Sequence, residues 1–200
     1  MKSLLQTLNG TTNSPPPIWL MRQAGRHLKE YKDLRSQAKT FLDFCYSPDM
    51  AVEATLQPIR RYGMDAAILF SDILVIPDAL GQHVSFIPGQ GPRLRALNGR
   101  GDIDQLDPSN LHAHLAPIYE AIRRLRTQLP ETTALIGFAG APWTVATYMI
   151  EGGGSRDCQK TRTFAYDAQD DFQVLIDLLV DATASYLIRQ ADEGAEVIQI

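Results

Sequence analysis

Two short runs constrain the fold most. Asp65 to Phe70 and Thr133 to Phe138 are almost wholly apolar, yet each is only six residues long. Runs of this kind fit strands buried on both faces, as in a parallel sheet, rather than strands with one wet face. Parallel neighbours need a crossover, usually a helix, and helical patterns stand between and after the two runs. Ser47-Pro48-Asp49 reads as an N-cap, a proline at the first helical position and an acid in the first turn. That helix is expected to run to about Tyr62, with a kink at Pro58 and a stop at Gly63. Asp107-Pro108 opens a second helix, in which Leu111, Leu115, Ile118, Ile122, Leu125 and Leu129 form one apolar stripe. Pro117 should bend it and Pro130 should stop it. A third helix is expected over Asp170 to Asp192, with Phe172, Leu175, Ile176, Leu179, Tyr186 and Leu187 buried and Gly194 closing it.

Further strands are expected at Ile18 to Met21 and at Glu196 to Ile200, with a short one at His83 to Ile87. The alternation of strand and helix argues for an α/β fold with parallel strands. About four strands are counted, against eight in a closed (β/α)8 barrel, and the chain stops inside the last of them. The expectation is therefore a TIM barrel of which this chain is about the first half. Residues 1–16 form a flexible, partly Pro-rich lead-in, whose first nine residues could make one or two helical turns. Residues 17–200 are the truncated barrel domain.

The polar residues of interest follow the strands. In Pro17-Ile18-Trp19-Leu20-Met21-Arg22-Gln23-Ala24-Gly25-Arg26, two arginines, an amide and a glycine come directly after an apolar lead-in. Guanidinium forks bind carboxylates or phosphates bidentately and stay charged at any working pH. Arg35 is a third cation nearby. Asp72 ends the run Ile68-Leu69-Phe70-Ser71; it is either a turn-forming Asx residue or a carboxylate aimed into a pocket. Thr133–Phe138 runs into Ala139-Gly140-Ala141-Pro142-Trp143-Thr144, a small-residue turn opening a helix that carries Tyr148. Glu151-Gly152-Gly153-Gly154-Ser155 ends that helix in a flexible loop, with neither GxxxxGK[ST] nor GxGxxG. In parallel α/β folds the site lies at the C-terminal ends of the strands, so Arg22, Asp72 and the 139–144 turn all point to one face.

Other classes are disfavoured. A formal net charge of -4 argues against a general nucleic-acid binder. Cys45 and Cys158 lack metal-ligand spacing and are too few for a disulfide framework, so a reducing compartment is expected. His112 and His114 are two apart on a helix and face different ways, so they are not a metal pair. No apolar run is long enough to span a bilayer.

Together these residues resemble the uroporphyrinogen decarboxylase family. The resemblance rests on the signature at 17–26, on Phe70-Ser71-Asp72-Ile73-Leu74, and on Gly137-Phe138-Ala139-Gly140-Ala141-Pro142-Trp143-Thr144 with Tyr148 and Glu151 to Ser155. It covers nearly all of the chain after the lead-in. It implies a (β/α)8 barrel in the cytoplasm that removes the four acetate carboxyls of uroporphyrinogen III as carbon dioxide, giving coproporphyrinogen III for heme synthesis. It implies no metal or organic cofactor, a homodimer, and neither a nucleic-acid nor a membrane partner. Carried over by position, Arg22 and Arg26 bind substrate carboxylates and take part in catalysis. Gln23, Ala24 and Gly25 line the same wall, with Arg35 near the substrate. Asp72 accepts hydrogen bonds from pyrrole N–H groups and is catalytic; Tyr148 contacts the acetate or the reacting ring. The resemblance also places further active-site residues in a C-terminal half that this sequence lacks. Two other readings compete. One is a methyltransferase of the same broad superfamily, whose zinc ligands would lie in that other half. The other is a non-catalytic tetrapyrrole-binding fragment with raw sheet edges.

Overall fold

The computed structural model describes residues 2–200. In chain order, helix α1 is Ser3–Leu8, α2 Lys29–Arg35, α3 Phe41–Cys45 and α4 Pro48–Tyr62; strand β1 is Ala66–Ile68. Then follow α5 (Val75–Ala79), β2 (Val84–Ile87), β3 (Gly91–Leu94) and α6 (Arg100–Ile103). A 3-10 turn at Pro108–Asn110 leads into α7 (Leu111–His114) and α8 (Ala116–Gln128). Strand β4 (Ala134–Phe138), helices α9 (Pro142–Glu151), α10 (Gln159–Asp167) and α11 (Gln169–Asp192), and strand β5 (Val197–Gln199) complete the chain.

Local chemistry sets these bounds. The Ser47 side chain accepts from the Met50 N–H at 3.4 Å at the start of α4, and Gly63 ends it in the left-handed region at φ 64°. The α4 helix is continuous through Pro58. The stripe beginning at Leu111 is not one helix. Asp107 caps a 3-10 turn through the Ser109 N–H at 2.8 Å, and the helical run breaks at Leu115, two residues before Pro117. A proline ring clashes with the carbonyl four residues earlier and offers no N–H, so the expected bend becomes a break between α7 and α8.

The described residues form two compact units. The first holds residues up to Ser71, residues 116–138 and residues 187–199. Its sheet has the order β1-β4-β5, all parallel, with Ala66 opposite Ala134, Ile68 opposite Ile136, and Ile136 opposite Val197. One face of this sheet, Ala66, Ile68, Ala134 and Ile136, packs with Leu4, Leu5 and Trp19. The lead-in is thus tied down at its start. Leu4 is buried, Lys2 pairs with Glu196 at 2.5 Å, and the Ser3 hydroxyl donates to Asp65 at 3.0 Å. A second cluster joins Leu28, Tyr31, Phe44 and Ala54 with Phe70. At the end of β4, Gln190 bonds the backbone of Phe138 at both ends of its amide: its Oε1 accepts from Phe138 N–H at 3.0 Å and its Nε2 donates to Phe138 O at 2.9 Å. A Cβ at Gly137 would lie 2.5 Å from Gln190 Oε1, so a side chain there would displace the Gln190 amide from these bonds.

The second unit holds residues 72–115, 139–186 and 200. Strands β2 and β3 form an antiparallel hairpin with Val84 opposite Leu94. Only β2 was expected from sequence; β3 opens with Gly91-Pro92, which reads as a loop. The glycine run after α9 is bonded to this hairpin rather than loose. Leu94 N–H donates to Gly152 O at 3.1 Å, and Gly153 bridges Arg93.

Among the described residues no helix is long and apolar enough to cross a membrane. Neither cysteine is in a disulfide.

Candidate functional site: the arginine loop and the Asp72 turn

The arginine signature is a loop, not a strand. Ile18, Leu20 and Met21 are exposed and belong to no ladder, which corrects the strand expected at 18–21. The physical reason lies in Asp65. Its N–H donates to Ile18 O at 3.0 Å while its carboxylate accepts from Ile18 N–H at 2.7 Å, so a side chain takes the place of the next ladder bond. Gln23 then folds the chain back. It is buried, donates from Nε2 to Ala66 O at 2.9 Å, and accepts from Leu20 N–H at its Oε1 at 3.1 Å. Its own N–H donates to Leu20 O at 3.1 Å. The result is a tight turn with Met21 and Arg22 at its tip, docked on the start of β1.

Leu20, Arg22 and Gln23 line a cleft of about 260 Å³ together with His27, Tyr62 and Met64. The last three were not expected from sequence. His27 directly follows the signature, but nothing in the linear pattern places Tyr62 and Met64 beside it. Gly25 meets only the His27 ring at ordinary contact distance, and its φ is not left-handed, so the chain itself does not demand glycine there.

Charge pairing separates these arginines from most others. Arg61 pairs with Glu30, Arg100 with Asp104, Arg123 with Glu193, Arg124 with Asp49, and Arg189 with Glu193. Arg22 and Arg26 are exposed and form no ion pair with any described residue. The first acid after them in sequence, Glu30, is already held by Arg61 at 2.9 and 3.1 Å. Its carboxyl titrates below the usual range, because a backbone N–H and then the Arg61 guanidinium favour the anion. Arg35 differs again. It donates to Ala38 O at 2.9 Å and lies 5.9 Å from the ring centres of both Phe41 and Phe44. Aromatic faces hold it without cancelling its charge.

Asp72 and Tyr148 lie in the second unit. Asp72 Oδ1 accepts from Leu74 N–H at 2.9 Å, an Asx turn that fixes the carboxylate's direction. The turn after β4 comes close to the same segment: a Cβ on Gly140 would lie 2.9 Å from Ile73 Cβ and from Val145 Cγ2. So the two sequence motifs at 70–74 and 137–148 are in contact through Gly140, which has no room for a side chain. Tyr148 is half-buried on α9, and its hydroxyl has no hydrogen-bond partner among the described residues. His112 bonds Ser185 and His114 bonds Asp78, both at 2.7 Å, so the two histidines serve separate contacts. No group of three or more metal-ligating side chains occurs among the described residues.

The family model for uroporphyrinogen decarboxylase (URO-D) matches residues 1–200. A uroporphyrinogen decarboxylase from Rhodospirillum rubrum is 57% identical over 199 residues, covering 100% of this chain and 57% of that protein. One from Agrobacterium fabrum is 54% identical over 199 residues, covering 100% and 58%. The chain thus spans well under two thirds of the length of these relatives. Among solved structures, a methyltransferase from Methanosarcina mazei matches with TM-score 0.77 at 18% identity, over 98% of this chain and 56% of that one. A likeness at that identity shows a shared fold and carries nothing about the reaction.

Proposed function

Since the chain belongs to the uroporphyrinogen decarboxylase family, we propose that its protein removes the acetate carboxyls of uroporphyrinogen III as carbon dioxide, yielding coproporphyrinogen III. The observation that carries this reading is the unneutralised pair Arg22 and Arg26 on a loop pinned by Gln23. A polycarboxylate substrate needs fixed cations without internal partners, and a fork held by its own backbone loses little freedom on binding. Ala24 and Gly25 keep the loop small beside the ligand. Gln23 contributes by shaping the wall, since both ends of its amide already hold the backbone. Arg35, charged but held by aromatic faces, is the third cation of the set.

Loss of carbon dioxide leaves an electron pair behind. A pyrrole protonated at a ring carbon accepts that pair, so the substrate itself serves as electron sink. The protonated ring is cationic. We assign its stabilisation to Asp72, whose orientation the Leu74 N–H fixes before substrate arrives. Tyr148 is the hydroxyl we assign to the acetate being lost. The fold reading that accompanies this proposal is a (β/α)8 barrel to which these residues contribute about the first half, in a cytoplasmic homodimer.

The test uses uroporphyrinogen III kept reduced, with products oxidised and separated by carboxyl number. Asp72→Asn keeps an acceptor for Leu74 N–H and removes the charge. Its kcat should fall by about 10²–10³, the typical loss for one preorganised electrostatic group, with the melting temperature unchanged. Turnover at the parent rate would remove Asp72 from the mechanism.

A further inference from the structure

We propose that His27 is a titratable cation of the carboxylate-binding site, so that binding of a polycarboxylate tightens as the pH falls toward 6. The inference rests on the carboxylate-binding reading given above and adds to it a residue and a pH response.

The geometry places His27 in the cleft of Leu20, Arg22, Gln23, Tyr62 and Met64. Its ring is nearly parallel to that of Tyr62, at 21° with centroids 6.5 Å apart. An offset arrangement of this kind orients an imidazole while leaving both nitrogens open to a ligand. Neither ring nitrogen has a hydrogen-bond partner among the described residues, unlike those of His112 and His114. Of the charged groups near His27, Arg22 lines the same cleft beside Tyr62, and the Glu30 carboxylate on α2 acts on the imidazole while paired with Arg61 at the end of α4. Arg61 is claimed by Glu30 and also lies 5.9 Å from the Tyr62 ring centre. The neighbourhood of His27 is therefore net cationic when empty, and a ligand carboxylate reverses that balance. Histidine ordinarily titrates at about pH 6.5, so a ligand that favours the imidazolium takes up a proton on binding near neutrality. The sign follows: affinity is greatest below the free-state pKa and falls as the pH rises through the ligand-bound one.

The probe is uroporphyrin, a stable octacarboxylate, bound to the protein and followed by fluorescence from pH 6 to 8.5. The parent should lose about tenfold in affinity across that range, the equivalent of one pKa unit of linkage. His27→Phe retains a ring to stack on Tyr62 and should flatten the profile at the weak, high-pH level. His27→Lys should flatten it at the tight level. Proton NMR gives an independent reading, because the chain has only four histidines: the His27 resonance should titrate at higher pH when uroporphyrin is bound. Equal pH slopes in the parent and in both variants, or an unmoved His27 resonance in a saturated complex, overturn the inference while leaving the carboxylate site standing. No binding by the parent at any pH, with Arg22→Ala also silent, overturns the site itself and the inference with it.

Discussion

Two sets of arginines in the first unit carry the same charge and put it to opposite uses. On α8 and α11, Arg123, Arg124 and Arg189 are laced to Glu120, Glu193 and Asp49 at 2.5–2.8 Å. In the 22–26 loop, Arg22 and Arg26 form no ion pair with any described residue, and the first acid that follows them in sequence, Glu30, is held by Arg61. The helical arginines hold elements of the protein to one another and leave no net charge to offer. The loop arginines stabilise nothing internal, so their charge remains for an external anion. The sequence reveals the difference in part, because Glu120 stands three and four residues before Arg123 and Arg124 and Glu193 four after Arg189, spacings that pair along a helix. The other pairs are decided in three dimensions, by Asp49 reaching Arg124 and Glu193 reaching Arg123 from distant parts of the chain.

The contrast is broken most sharply at Gln23, which keeps the loop in place. Gln23→Leu fits the volume but strands the Ala66 carbonyl and the Leu20 N–H. The buried Ala66 carbonyl left unsatisfied costs about 1–3 kcal/mol, so the variant should lose about that much in urea unfolding. Anion binding should be lost with it. Unchanged stability would show that the loop is held by other contacts.

Arg22→Ala and Arg26→Ala give the complementary result. Stability should stay within about 0.5 kcal/mol, since no internal bond is removed. Affinity for a polycarboxylate should fall about 10–100-fold per arginine, the value of a charge-assisted hydrogen bond of about 1.5–3 kcal/mol. A drop in melting temperature without a drop in affinity would turn the comparison around.

Much of the scaffold behind this contrast was legible in the chain. Ser47-Pro48 and Gly63 bracket α4 as read, because capping is local chemistry that tertiary contacts do not override. The buried runs at 66–68 and 134–138 are strands, and Pro117 does interrupt its helix. Several misses share one cause, which is a long-range partner. The apolar Ile18 to Met21 run failed as a strand because the Asp65 carboxylate occupies the Ile18 N–H. Strand β3 depends on pairing with β2 across a Gly-Pro start, and the glycine run at 152–154 is ordered by that same hairpin. Helices α5 and α10 lack caps from their side chains, so no terminal signal marked them. At the site, residue types were readable and their deployment was not. Gln23 lines the cleft and is also its strut, while His27 and Tyr62 meet only in the folded loop.

The smallest effect belongs to the helical arginines, where pH sharpens the comparison. Hydrogen bonds from Arg123, and then from Arg189, hold the Glu193 carboxyl below its usual range against a modest burial penalty. With its folded pKa depressed, Glu193 adds stability that is fully present above the ordinary carboxylate pKa of about 4.3 and is lost as the pH falls through the lower folded value. Arg123→Ala removes the leading partner. It should cost at most about 1 kcal/mol at neutral pH, in keeping with a pair whose guanidinium half is open to solvent, and less in high salt. The variant's stability should also fall less steeply than the parent's below about pH 4.5. Arg26→Ala, tested in the same acid titration, should follow the parent curve throughout, because no carboxylate among the described residues is paired with it. If the two variants lost the same acid-sensitive stability, the loop arginines would have internal partners after all, and the division of labour between the two sets would fail.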